Sequence, residues 1–148
     1  MGDAARPLTS AFTVSMSMYR CSIEVAESDE EIRVTCEGGE LGLLIGKHGQ
    51  TIDAIQYLAN AAARRGGVDA KDVVVDAAGY RARRRATLET MAVRSAQQAL
   101  REGRVELEPM TAIERKIVHL RLKDFPGVET SSEGVEPNRF VVVTALDG

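Results

Sequence analysis

The sequence contains no tryptophan, and aromatic residues make up only 4% of its 148 positions. Two cysteines, Cys21 and Cys36, are too few for a disulfide framework or for a zinc site built from several thiolates. No apolar run approaches the roughly 18 residues that span a membrane. The start of the chain lacks the basic segment and apolar core of a secretory signal. We therefore expect a cytoplasmic protein with reduced thiols and no direct membrane insertion.

Charge is distributed unevenly along the chain. The net charge of −3 argues against a highly basic protein that binds nucleic acid through its overall charge. Residues 40–104, however, carry 11 basic and 7 acidic side chains, whereas residues 1–39 and 105–148 are acidic on balance. A local basic patch matters more to an anionic partner than the total charge. The cations in the middle of the chain are therefore the ones to follow.

The hydrophobic pattern predicts an α+β protein made of two small units. The first has the order α-β-β-α-α-β, and a long helix joins it to a second unit with the order β-α-β-β. We place an N-terminal tail and weak helix at 1–19. The first domain then occupies 20–79, and the second domain, including the connecting helix, occupies 80–148.

In the first unit, alternating apolar residues predict two strands, which contain Cys21 and Cys36. A hairpin turn centred between Ser28 and Asp29 would place the two cysteines opposite each other. From Gln50 the apolar spacing changes to three and four, which predicts a helix. The apolar face of this helix is expected to contain Ile52, Ile55, Leu58, Ala59 and Ala62.

In the second unit, Thr111 and Glu114 match a capping box, which predicts a helix that continues to about Lys123. At 100° per residue, this helix has an apolar face and a separate basic stripe. The apolar face is expected to contain Ile113, Ile117 and Leu120, and the stripe is expected to contain Arg115, Lys116, His119 and Lys123. The stripe is either a solvated cationic face or a binding surface.

The segment Gly46-Lys47-His48-Gly49 joins an apolar turn to the helix that begins at Gln50. Two glycines permit a tight turn and a close approach of the backbone to a ligand. The free N–H groups of the following helix favour an anion, and Lys47 adds a full positive charge. A nucleotide-binding P-loop is excluded, because the glycine spacing is too short and His48 stands where serine or threonine would hold magnesium.

This loop carries a resemblance to a known family. The run from Leu43 to Ile52, with two strands before it and an apolar helix after it, resembles a KH domain of the type II variant. KH domains clamp about four nucleotides of a single strand across a GXXG loop. The resemblance implies that Gly46, Lys47, His48 and Gly49 form the clamp. Ile45 and Ile52 then either line the groove for the bases or pack in the core.

The pattern Arg115-x-x-x-His119 resembles the single-strand-binding domain named after its Arg-x-x-x-His motif. Further matches lie in Ala78-Gly79-Tyr80-Arg81 and Leu107-Glu108-Pro109-Met110. A KH unit followed directly by this domain is similar to the arrangement of the bacterial Jag family, over about residues 20–145. Many members carry an additional N-terminal domain, whereas this chain starts almost at the KH unit. Functions that depend on that extension do not carry over from the resemblance.

The resemblance implies single-stranded RNA binding by both units in a bacterial cytosol, and a link to cell elongation and envelope assembly. It also implies a small KH-domain protein as a partner, with self-association as the alternative. Arg81, Arg84 and Arg85 open the long helix, where arginines oppose the helix dipole. They are expected to form a phosphate track, although a soluble helix face with packed arginine stems is equally compatible with the sequence.

Three classes of function are therefore weighed. The first is a non-catalytic RNA-binding module, in which limited aromatic content leaves little base stacking. The second is a ribonuclease that uses His48 or His119 as an acid or base, but neither histidine has an obvious partner and the carboxylates are scattered. The third is an adaptor that pairs with another KH protein. We expect the first, with no catalytic residue, metal or cofactor.

Overall fold

The computed structural model describes residues 21–66 and 71–146. The expected tail and weak helix at 1–19 lie outside the described residues. The chain divides between Arg81 and Ala82 into two compact units. Helices and strands occur together in each unit, so the predicted α+β class is confirmed.

The first unit contains a three-stranded mixed sheet and two consecutive helices. Its elements are β1 (Cys21–Glu27), β2 (Glu31–Gly38), α1 (Gly42–Ile45), α2 (Gln50–Arg65) and β3 (Asp72–Ala77). A single 3-10 turn over Lys47–Gly49 connects α1 to α2. In the sheet, β2 lies in the centre, antiparallel to β1 and parallel to β3. Within the described residues, the order β-β-α-α-β agrees with the prediction.

The register of the β1–β2 hairpin differs from the predicted one. Cys21 pairs with Gly38, and Cys36 pairs with Ile23, so the two cysteines are not directly opposite. The reason is the turn, in which the Ser28 N–H donates to the Glu31 carbonyl at 2.9 Å and the Ser28 Oγ accepts from the Glu31 N–H at 3.1 Å. These bonds move the centre of the turn one residue later, which shifts the pairing by two residues.

Both cysteines nevertheless face the core as reduced thiols. Cys36 is completely buried, and Cys21 is partly buried against the same core. Burial, followed by the proximity of Cys21, raises the pKa of the Cys36 thiol to about 11. Cys36 is therefore a neutral thiol at physiological pH and serves as a small apolar side chain.

Helix α2 packs on the sheet through a face centred on Ile52 and Ala59. Two amide side chains attach it to the edge strand β3: the Asn60 amide bonds both the N–H and the carbonyl of Val73, and the Val75 N–H donates to Gln56. The prediction that Leu58 belongs to the buried face is wrong, because its side chain is 65% exposed. One residue before Ala59, Leu58 is rotated by about 100° out of that face.

The second unit contains most of a long helix and an antiparallel sheet. Its elements are α3 (Tyr80–Glu102, which begins in the first unit), β4 (Arg104–Glu106), α4 (Ala112–Leu122), β5 (Val128–Glu133) and β6 (Phe140–Ala145). The strand order is β4-β6-β5. The predicted order of a long helix followed by β-α-β-β is therefore confirmed. Its core is formed by Leu88, Ala92, Ala96, Ala99, Val118, Leu122, Val141 and Val143.

Helix α4 faces the core with a side that the sequence did not predict. Ile113 is 76% exposed and Leu120 is 59% exposed, whereas Val118 and Leu122 are buried. The buried face is rotated by about 150° from the predicted apolar face at 100° per residue. The buried side also contains the charged residue Arg115, which takes it away from the solvated stripe expected for it. Apolar counting failed here because charged side chains with fixed partners occupy the core-facing positions.

Candidate nucleic-acid interface

The Gly46-Lys47-His48-Gly49 segment forms a tight backbone turn between α1 and α2. Helix α1 ends where the Gly46 N–H donates to the Gly42 carbonyl at 2.8 Å. Gly46, His48 and Gly49 then adopt positive φ angles of 72°, 52° and 78°. A run of left-handed residues reverses the chain in four positions, directly before the first turn of the 16-residue α2.

Both glycines of this loop are required by the space around them. A Cβ atom on Gly46 would lie 2.9 Å from the backbone nitrogen of Thr51, and one on Gly49 would lie 2.6 Å from Cε1 of Tyr80. Neither distance is tolerated between real atoms, and both residues have φ angles that disfavour any side chain. Alanine at either position therefore has to move the loop.

The electrostatics of the loop favour an anion. Lys47 is exposed, and His48 is partly buried. The only acidic residue in the first turn of α2 is Asp53, and its carboxylate accepts from Arg81 Nη1 at 2.8 Å. Arg81 therefore offsets the negative charge nearest to the loop, and the N–H groups at the start of α2 add partial positive charge.

Ile45 and Ile52, which flank the loop, have different environments. Ile52 is completely buried and belongs to the core of the first unit, so it fulfils the packing role that the sequence left open. Ile45 is only partly buried and packs against the edge of that core. Of the two, only Ile45 presents apolar surface beside the loop.

The three arginines expected to form a phosphate track all pair with carboxylates. Arg81 also donates from Nε to the Val75 carbonyl at 2.8 Å and from Nη2 to Gln56 at 3.0 Å. Arg84 donates to Glu114 at 2.7 Å, and Arg85 donates to Glu89 at 3.0 Å. Only the Arg85 side chain is mostly exposed. Contact of these residues with phosphate stays a prediction.

Helix α4 begins with the predicted capping box. The Thr111 Oγ1 accepts from the Glu114 N–H at 3.3 Å, and the Thr111 N–H donates to the Glu114 carboxylate at 3.1 Å. The other carboxylate oxygen of Glu114 accepts from Arg84. The same side chain thus caps α4 and joins it to α3.

Arg115 and His119 share a side of α4, but their environments differ. Arg115 is buried, and its guanidinium donates to the Met110 carbonyl at 2.8 Å and to Glu136 Oε1 at 2.6 Å. The guanidinium thereby joins the start of α4 to the segment between β5 and β6. Arg115 therefore stabilises the second unit, and a contact with RNA would use the remaining N–H groups.

His119 is partly buried and held from both sides. Nδ1 lies 2.7 Å from the Thr130 hydroxyl, and Nε2 lies 2.8 Å from the Ser132 hydroxyl. Burial, followed by the positive charge of Arg115, lowers the pKa of His119 below the ordinary 6.5. The ring is therefore neutral at pH 7 and is oriented by β5.

Two of the predicted cations of α4 are open to solvent. Lys116 and Lys123 are exposed, and so are the apolar side chains of Ile113 and Leu120. Exposed lysines are suited to phosphate contacts, since an ammonium group keeps its charge and can adapt its position. The stripe predicted from the sequence is therefore divided, with two exposed lysines and two partly or fully buried residues.

Sequence reasoning missed four side chains around these sites. Tyr80 supports Gly49, Glu136 binds Arg115, and Thr130 and Ser132 hold His119. One signal was available for the last two. They follow Val128 at spacings of two on one face of β5, so polar hydroxyls stand where a core-facing strand would have apolar residues.

Neither a metal centre nor a membrane span is found in the described part of the chain. Among residues 21–66 and 71–146, no group of three or more histidine, cysteine or carboxylate side chains could hold a metal ion. No helix in those ranges has the length and apolar character needed to cross a bilayer.

Comparison with known proteins identifies the two units. The sequence model of the KhpA/KhpB KH domain matches residues 3–76, and that of the domain named after its Arg-x-x-x-His motif matches residues 86–145. The RNA-binding protein KhpB of Clostridium symbiosum is 41% identical over 124 residues, which cover 83% of this chain and 56% of that protein. KhpB of Bacillus subtilis is 37% identical over 128 residues, or 84% of this chain and 62% of that protein.

A third relative, KhpB of Lactiplantibacillus plantarum, is 46% identical over 103 residues, which cover 69% of this chain and 32% of that protein. The chain thus spans less than two thirds of the length of each of these relatives. The KH match occupies the first half of the sequence, and the match to the Arg-x-x-x-His domain follows it in the second. The chain therefore belongs to the KhpB, or Jag, family, in which a KH domain is followed by an Arg-x-x-x-His domain.

Proposed function

We propose that the protein binds single-stranded RNA and holds its phosphate backbone at the Gly46–Gly49 loop, without catalysing a reaction. The observation that carries this proposal is the loop itself. Three of its four residues have positive φ angles, and the exposed Lys47 lies between the glycines at the start of α2. Ile45 supplies apolar surface beside the loop for a base.

In the second unit, the proposed phosphate contacts come from the exposed Lys116 and Lys123 on α4. Arg115 and His119 lie on the same helix, in more buried positions, and complete the predicted site. Of the arginine run, Arg85 has the most exposed side chain, so we propose it as the main phosphate contact there. With few aromatic residues available, sequence preference is expected to be modest.

The family supports a role as a post-transcriptional regulator in a bacterial cytoplasm, linked to cell elongation and envelope assembly. The three relatives described above carry the name RNA-binding protein KhpB. The two reduced cysteines are in keeping with a cytoplasmic setting, where thiols are not oxidised to disulfides.

The proposal is tested by the affinity for a fluorescent single-stranded RNA in wild type and in the double variant Lys47→Asp, His48→Asp. We expect at least a tenfold loss, because the variant places two negative charges where the phosphate is held. Gln97→Asp with Arg101→Asp is the control, since it changes the net charge equally at exposed positions of α3. Equal affinity of all three proteins, each shown to be folded, would contradict the proposal.

A second function is favoured by a different observation on α2. The side of this helix away from the sheet is apolar and exposed, and includes Ala54, Tyr57, Leu58 and Ala61, with Tyr57 at 74% exposure. Such a face is typical of protein contacts. We propose an adaptor role, in which this face pairs with a KH domain of a small partner or of a second copy. Light scattering of wild type and Leu58→Asp tests the second copy, because only wild type should dimerise.

A further inference from the structure

The hydrogen bonds of His119 constrain two hydroxyls of the second unit. Thr130 and Ser132 are alternate residues on β5, so their side chains project from the same face of the strand. Each hydroxyl bonds one ring nitrogen of His119, at 2.7 Å and 2.8 Å. Both residues are only partly buried, and a ligand can therefore reach them.

The protonation state of the ring decides what these hydroxyls can offer. A neutral imidazole has one N–H donor and one acceptor nitrogen, so one hydroxyl donates to the ring and the other accepts from it. The accepting hydroxyl keeps its own O–H free to donate, and the donating hydroxyl keeps its lone pairs free to accept. The pair therefore presents a donor and an acceptor side by side.

This combination suits one group of RNA better than the others. A phosphate oxygen only accepts, and would be bound best by a cationic ring with both hydroxyls donating. A cationic ring is disfavoured here by burial and by the buried guanidinium of Arg115 on the same helix. A ribose 2′-hydroxyl both donates and accepts, and it is the group by which a protein distinguishes RNA from DNA.

We propose that Thr130 and Ser132 bind a ribose 2′-hydroxyl and give the second unit its preference for RNA over DNA. His119 acts as a positioning residue that sets the donor and the acceptor of the pair. This inference rests on the proposed RNA binding, and it assigns a chemical role within it. Lys116 and Lys123 then supply phosphate contacts, which do not discriminate between the two nucleic acids.

Arg139 adds a further donor beside this pair. Its Nη2 approaches the Ser132 carbonyl at 3.5 Å. Its Nε is buried and has no hydrogen-bond acceptor among the described residues. The guanidinium therefore provides positive charge next to the hydroxyls, where the phosphate that follows the same ribose would lie.

The test compares affinities for RNA and DNA strands of identical base sequence, with uracil replacing thymine in both. The double variant Thr130→Val, Ser132→Ala removes the hydroxyls, and Ser131→Ala on the opposite face of β5 is the matched control. We expect wild type and the control to prefer RNA, and the double variant to lose about 2- to 10-fold of affinity for RNA, as expected for one or two hydrogen bonds. Its affinity for DNA should not change.

Two further variants distinguish positioning from charge and guard against unfolding. Thr130→Ser keeps the hydroxyl and should keep the RNA preference. His119→Gln retains one donor and one acceptor and should preserve more of the preference than His119→Lys, which supplies charge without an acceptor. A His119→Lys protein that binds RNA as wild type does would overturn the positioning role.

The outcomes separate this inference from the function on which it rests. If wild type binds RNA but the RNA-to-DNA ratio is the same in all variants, the hydroxyl site is wrong and RNA binding stands. An equal loss for RNA and DNA in the double variant also overturns the site. If folded wild type binds neither strand, both proposals fail.

Discussion

The aromatic ring of Tyr80 lies against the Cα atom of Gly49, so closely that a Cβ atom at Gly49 would come within 2.6 Å of Cε1 of the ring. Tyr80 is the first residue of α3, and Gly49 is the last residue of the GXXG loop. The next residue of α3, Arg81, binds Asp53 in the first turn of α2. The start of α3 therefore supports the loop and the helix that follows it.

This relationship predicts the effect of a methyl group at Gly49. Gly49→Ala combines a clash with Tyr80 and a φ angle of 78°, so we expect it to lower the free energy of unfolding by about 1–3 kcal/mol and to weaken RNA binding. Gly39→Ala is the control, since nothing lies within 4 Å of its Cβ and its φ angle is ordinary. Denaturant unfolding that shows equal stability for both variants would contradict this account of the loop.

A phosphate contact by Lys47 should appear in the salt dependence of binding. Removal of one phosphate contact from a single-stranded complex reduces the slope of log K against log salt by about 0.7. We expect this reduction for Lys47→Gln and no reduction for Arg33→Gln, which removes an equal charge from β2. Identical slopes for the two variants would show that Lys47 makes no phosphate contact.

Neighbouring residues of α4 are predicted to have opposite roles. Arg115→Ala removes two buried hydrogen bonds of a guanidinium and should cost about 2–3 kcal/mol of stability. Lys116→Ala, at an exposed position, should change stability by less than about 0.5 kcal/mol while weakening RNA binding. Thermal unfolding and RNA titration of the two variants check this division, and a stable Arg115→Ala protein would contradict it.

The lowered pKa of His119 predicts how stability depends on pH. The folded state binds the proton less readily than the unfolded state, whose histidine titrates near 6.5. Stability from the neutral ring is therefore complete above pH 6.5 and is lost as pH falls through the lower folded pKa. Unfolding free energies between pH 8 and pH 5 should fall more steeply for wild type than for His119→Gln. Parallel curves would show that His119 is not responsible.

The sequence was sufficient for the order of the elements, because periods of two and of three to four are strong over the strands and over α2 and α3. The glycine loop was equally accessible, since its glycines and Lys47 are adjacent in the chain. The capping box at Thr111 was also correctly placed. These features depend on neighbouring residues, and local patterns are therefore enough to find them.

The errors arose where distant residues decide. Ile113 and Leu120 form an apolar row, yet α4 turns the other way because Arg115 finds Glu136 and Arg84 finds Glu114 across the fold. The hairpin register depends on the hydrogen bonds of Ser28, which alternation alone does not specify. The hydroxyl pair on β5 became visible only once His119 was seen between its members.

The most direct test of the central claim is a titration with a single-stranded RNA of about 20 nucleotides, several times the length that one KH clamp holds, followed through the backbone amide NMR signals of the first unit. If the phosphate is held at the loop, the largest changes within that unit will occur at the amides of residues 46–50. RNA that binds while these amides remain unchanged, or that shifts mainly the exposed face around Tyr57 and Leu58, would contradict the account.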